Sequence, residues 1–180
     1  MNEKIEQYVR YHGRDFMEWL CDIISIPSPT GHEQAKGEWI LNLLHQWGAA
    51  GAYRDAAGNV VYPCHVKSGE KVALYTAHID TVFQDLQEIH IRQTGHILSA
   101  PSCSDNSASI AGLLFIIKMF HDLQLTPPQG LLFAFDVGEE GLGNLKGMRQ
   151  VMADWHGRIA EVVAVDCTFD TFVTTAVGSR

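Results

Sequence analysis

The chain has 180 residues, 46% hydrophobic and 19% charged, which is the composition of a folded globular protein with room for one ordinary domain and a sizeable core. Its formal net charge of −8, with no basic patch standing out to neutralise phosphates, argues against a nucleic-acid partner. No run approaches the roughly 20 apolar residues that a bilayer span requires, Ile110 to Ile117 being far too short, so no membrane partner is expected.

Phe16, Trp19, Leu20, Ile23 and Ile24 recur at helical spacing and predict a first helix from about residue 3 to 25, stopped by Pro27 and Pro29. Thr30-Gly31-His32-Glu33 has the form of a capping box and opens a second helix carrying Ile40, Leu41, Leu44 and Trp47, which ends near Gly48. Strands follow around Tyr53, from Asn59 to His65 and from Lys71 to Ala77, with a turn over Asp55 to Asn59. Glu88 to Arg92 and His96 to Leu98 suggest a hairpin closed at Thr94-Gly95. Asp105-Asn106-Ser107 can cap a helix that buries Ile110, Leu113, Leu114, Ile117 and Met119. Thr126-Pro127-Pro128 breaks the chain before a strand from Leu131. A helix from about Leu145 to Asp154 comes next, then strands at Glu161 to Val165 and Thr171 to Val177. Helices alternating with continuous apolar strands predict an α/β fold, a three-layer α/β/α sandwich around a mixed, mostly parallel sheet.

The polar start Met1-Asn2-Glu3-Lys4 lacks the apolar core of a secretory signal, and Cys21, Cys64, Cys103 and Cys167 form no CxxC pair or regular framework. They read as reduced thiols, which points to the cytoplasm. The chain stops at Ala176-Val177-Gly178-Ser179-Arg180 without a terminal helix or capping turn, so a longer protein is expected to continue past this point.

Chemistry gathers where the strands stop. His78-Ile79-Asp80 follows Val72 to Tyr75, Gly138-Glu139-Glu140-Gly141 follows Leu131 to Phe135, Asp166 follows Val162 to Val165, and Asp105 stands at the entry to a helix. Ligands of open α/β sheets bind outside the carboxyl ends of the strands. Carboxylates converging there repel one another unless cations lie between them, so the set reads as a divalent metal site. Each member also has an ordinary role: His78 and Asp80 as a strand-end pair, Glu139-Glu140 as a solvated loop, Asp105 as an N-cap, Asp166 as an exposed strand end. Residues two apart on a strand share a side, so Asp80 can orient the His78 imidazole. Gly138, Gly141 and Gly143 give the backbone freedom by which adjacent glutamates diverge.

The order His-x-Asp, Asp, Glu-Glu, Asp resembles the co-catalytic dizinc exopeptidases of the peptidase T, dipeptidase, aminoacylase and succinyl-diaminopimelate desuccinylase group. The likeness is carried by Ala77 to Val82, Ser104 to Ser107 and Val137 to Gly143, with support from Ile26 to Glu33, Asp55 to Val60 and Val177 to Arg180. It implies that residues 1–180 are the N-terminal part of a zinc peptidase catalytic domain, without the lid domain and the C-terminal part. His78 and Asp166 would then hold one metal, Glu140 the second, and Asp105 would bridge them. Asp80 would orient His78, and Glu139 would be the general base acting on a metal-bound water. The implied cofactors are two divalent ions, zinc first, with manganese or cobalt as alternatives. The implied substrate is a small peptide or an acyl amino acid, and the family often dimerises through its lid, so a homo-oligomer is possible. A further histidine ligand is expected from the far C-terminal part, since none here follows Asp166.

The reaction expected is exopeptidase cleavage of short peptides. The alternatives are N-acyl amino-acid deacylation within the same family, or a non-catalytic fragment serving in binding or assembly. A nucleotide site has no support, since neither GxGxxG after a strand nor a phosphate loop is present.

Overall fold

The computed structural model describes residues 3–85 and 88–166. Helix α1 (Glu3–Ser25) buries Tyr8, Leu20, Ile23 and Ile24 along one stripe, and Pro27, two residues past its end, cannot continue it. Helix α2 (Gln34–Gln46) buries Ile40 and Leu44. The strands are β1 (Tyr53–Arg54), β2 (Val60–Cys64), β3 (Val72–His78), β4 (Arg92–Thr94), β5 (Ile97–Ser99), β6 (Gly130–Asp136) and β7 (Ile159–Ala164), with helices α3 (Ser109–Asp122) and α4 (Lys146–Asp154) between them.

Five strands form one sheet in the order β1-β2-β6-β3-β7. β3 runs parallel to both β6 and β7, while β2 lies antiparallel on β6 and β1 antiparallel on β2. Parallel strands buried on both faces need apolar residues at successive positions. Accordingly all seven residues of β6 are buried. Strand alternation sorts them between two cores. Ala73, Ala77, Leu131, Phe133 and Phe135 pack with residues of α1, α2 and α3 on one face. Val72, Leu74, Leu132 and Ala134 pack with Val151 and Trp155, from α4 and its end, on the other. The sheet is mixed, and the sandwich has three layers. Each large apolar side chain so buried contributes about 1.5–3 kcal/mol.

Three local expectations are revised. The hairpin pairs Arg92–Thr94 with Ile97–Ser99, later than the Glu88 to Arg92 strand read from the sequence; in this exposed hairpin no buried face fixes the register. Thr30 to Glu33 does not form a capping box, because α2 begins only after Glu33 and the Thr30 hydroxyl donates to Asp80 instead of facing a helix amide. Asp105 does not cap α3, which starts at Ser109 without a side-chain cap. The strand read at Thr171 to Val177, the terminal Gly178-Ser179-Arg180 and Cys167 lie outside the described residues.

Register aligns the strand ends that matter. His78 pairs with Asp136 at the carboxyl ends of β3 and β6. Past β7, the Val165 amide donates to the Thr76 carbonyl at 2.8 Å, which carries Asp166 to the same rim.

Candidate metal centre

His78 is the last residue of β3 and is 4% exposed. Its Nδ1 donates to the Asp80 backbone carbonyl at 3.0 Å, with the Asp80 carboxylate at 3.5 Å. The opposite ring nitrogen, Nε2, faces Asp105 Oδ1 at 3.0 Å and Asp166 Oδ1 at 3.8 Å. Asp105 reaches it because the turn Cys103–Ala108 is not regular helix: Asp105 has φ −112° and ψ 95°, an extended conformation that swings its carboxylate off the α3 axis. Buried Asn106 ties this turn to the residue just past β7 by donating Nδ2 to the Val165 carbonyl at 3.0 Å.

The Glu139-Glu140 turn is held from below. Asp80, fully buried, accepts the Glu139 amide at 3.0 Å, the Glu140 amide at 2.9 Å and the Thr30 hydroxyl at 2.9 Å. Gly138, at φ +64°, makes the left-handed bend that a side chain would resist. The base of the loop is pinched shut: the Gly147 amide donates to the Val137 carbonyl at 3.0 Å. Buried Asn59 accepts the Val137 amide at 2.9 Å and donates to the Gly147 carbonyl at 2.8 Å. Asn59 is itself fixed by Asp55, whose Oδ2 receives its Nδ2 at 2.6 Å.

The electrostatics follow from this convergence. Burial works against a charged His78, but the Asp166 and Asp80 carboxylates outweigh it and push its pKa up to about 11. Burial, then Glu139 and Asp105, raise the pKa of Glu140. For Asp80 burial opposes ionisation, yet hydrogen bonds from His78, Glu140, Glu139 and Thr30 hold it down at about 2.

Two overlapping sets of donors lie within 4.8 Å of one another, His78 with Asp105 and Asp166, and His78 with Glu139 and Glu140. Imidazole and carboxylate oxygens are donors suited to zinc, manganese or cobalt, so the residues present fit a divalent ion. All six residues singled out from the sequence meet at one rim: His78, Asp80, Asp105, Glu139, Glu140 and Asp166. Sequence reading missed the supporting shell. Glu33 was read as a cap, Asn59 as a strand start, and Lys36 and Asp136 were not singled out. Only Asp136 carried a signal, as a carboxylate directly after the apolar run Leu131 to Phe135; Glu33, Lys36 and Asn59 stand in polar stretches, and all four are 5% exposed or less. Asp136, a strand over from His78, receives the Thr76 hydroxyl, and burial raises its pKa to about 6.

A three-layer sandwich with such a cluster at the carboxyl ends of its strands defines the class as an α/β/α fold with a candidate metal centre at its strand ends. A family model described as peptidase family M20/M25/M40 matches residues 74–177, more than half of the sequence, and the chain belongs to that family. It is 32% identical over 134 residues to a protein of Pyrococcus abyssi (strain GE5 / Orsay) named as a LysW-lysine/LysW-ornithine hydrolase, a match covering 74% of this chain and 35% of that one. Human carnosine dipeptidase 1 superimposes with a TM-score of 0.74 at 14% identity, over 91% of this chain and 41% of that one. A Staphylococcus aureus tripeptidase superimposes at 0.66 with 20% identity, over 86% of this chain and 43% of that one. The chain thus spans well under half the length of these relatives. The two solved structures establish the fold.

Proposed function

We propose that this chain carries most of the metal centre of a metal-dependent amide hydrolase, an exopeptidase acting on short peptides. The supporting observation is that two donor sets share His78, one with Asp105 and Asp166 and the other with Glu139 and Glu140. His78 and Asp166 would hold one divalent ion, Glu140 another, and Asp105 both; when bound, the ions polarise the amide carbonyl and stabilise developing negative charge. Glu139 is half-buried at the rim, open enough to meet a water molecule. Its carboxylate takes the proton of the attacking water and returns it to the leaving amine. Asp80 keeps Glu139 and Glu140 in place through their amides, and its backbone carbonyl orients the His78 ring.

The 180 residues then form the N-terminal part of the catalytic domain, a reading supported by the 35% to 43% of each relative's length that they span. A cytoplasmic setting belongs to the same proposal and is supported by free thiols at Cys21, Cys64 and Cys103. Among the described residues no helix is long and apolar enough to cross a membrane.

The test is amide hydrolysis by the full reading frame containing this chain, on dipeptides, tripeptides and N-acetyl amino acids. Glu139→Gln should lower kcat by about 10²–10⁴ with metal content unchanged, and Asp105→Ala should lose metal. Preference for N-acetyl amino acids would move the assignment to deacylation. Full activity in Glu139→Gln would sink it.

A further inference from the structure

We propose that Glu33 is a positioning residue for the Glu139-Glu140 turn, its carboxylate fixing the Gly138 amide and thereby the direction in which the two glutamates project. The proposal rests on the reading of Glu139 as the base. Glu33 is 5% exposed, and a carboxylate buried so far needs donors. It stands at the N-cap position of α2 yet gives that helix no side-chain cap. Its Oε1 instead accepts the Gly31 amide at 2.9 Å and, across the fold, the Gly138 amide at 3.1 Å.

That bond completes a series. Four consecutive amides, Val137 to Glu140, are received by side-chain oxygens of Asn59, Glu33 and Asp80. Gly138 is the flexible link among them, being a glycine at φ +64°. The Lys146 stem lies on its other side, where a Cβ on Gly138 would meet it at 2.8 Å, and the Lys146 ammonium sits 4.0 Å from Glu33. Without the Glu33 acceptor, Gly138 can rotate its peptide plane and displace the base next to it. Displacements of about 1 Å in a catalytic group can cost about 10²-fold in rate.

Two variants separate reach from charge. Glu33→Asp keeps the charge and shortens the side chain by one methylene; Glu33→Gln keeps the reach and removes the charge. Hydrogen exchange at the Gly138 amide is read by NMR on this chain, with the Leu74 and Phe133 amides as a check on global unfolding. Metal content, kcat and KM are read on the full reading frame. In Glu33→Asp, exchange at Gly138 should rise and kcat fall about tenfold or more, with KM within about twofold and metal content unchanged. Glu33→Gln should match the parent in all four. The proposal is overturned if Glu33→Gln is as damaging as Glu33→Asp, or if Glu33→Asp leaves Gly138 exchange unchanged. Should Glu33→Asp fail to fold, Glu33→Gln alone decides, since loss of Gly138 protection there overturns the idea and retention supports it. Because exchange is independent of turnover, an active Glu139→Gln enzyme would defeat the hydrolytic reading while leaving the exchange result standing.

Discussion

Replacing Lys36 with methionine should stabilise the protein at neutral pH, by an amount that shrinks as the pH is raised. Lys36 is 2% exposed, among the largest fully buried side chains of the fold. It lies in the first turn of α2, where the helix dipole disfavours a cation. Burial is the main reason its pKa falls from 10.5 to about 8, and Asp80 pulls it back only in part. At about 1.4 kcal/mol per pH unit, keeping this ammonium charged in the folded state costs about 3 kcal/mol. The unfolded chain binds the extra proton between about pH 8 and 10.5, so this site makes stability rise with pH across that window, and below about pH 8 the full cost is present. Methionine has similar length and no charge. Urea unfolding of parent and Lys36→Met at several pH values from 7 to above 10 should show the variant ahead by up to about 3 kcal/mol at pH 7, with the gap closing at the alkaline end. A gap that does not change with pH, or a variant less stable at pH 7, would refute the reasoning.

Gly147→Ala should lower the melting temperature markedly, because a Cβ there would fall closer than 3.0 Å to the Val137 backbone and to Asn59 Oδ1, at a cost of about 1–3 kcal/mol or more. Asp80→Asn should both destabilise the fold and abolish hydrolysis, since one amide oxygen cannot replace a carboxylate that accepts from Thr30, Glu139 and Glu140. Held at about 2 in the fold, Asp80 contributes stability above its unfolded pKa of about 3.9 that is lost as pH falls toward 2, and acid titration of parent against variant should show the difference vanish in that window. Zinc should raise the melting temperature of the parent by mass action and leave that of Asp105→Ala unchanged, as followed by calorimetry with and without chelator.

The helices and strands were legible because their signals are local. Ile23, Ile24, Ile40 and Leu44 recur at helical spacing, and the unbroken apolar run of β6 marks a strand buried on both faces. The hairpin at Arg92 to Ser99 slipped because exposed strands do not penalise a change of register. The candidate site was legible for a related reason: a histidine or carboxylate directly after an apolar strand has few places to be other than the sheet's carboxyl rim.

Its support was not legible. Thr30 and Glu33 satisfy a local capping pattern perfectly well, and only the packing of α2 beside the Gly138 turn turns the Glu33 carboxylate to a residue 105 positions away. Asp80 likewise stood two residues from His78 and was read as its orienting partner; that its carboxylate also receives Thr30 and the two glutamate amides came only from packing. By itself, then, the sequence determined the element order, the two-faced burial of the sheet and the identity of the six rim residues, since these follow from periodicity and residue chemistry. The tertiary structure decided which buried oxygen receives which amide. Such bonds join segments far apart in the chain, and several partners are chemically equivalent until the backbone brings one of them within 3 Å.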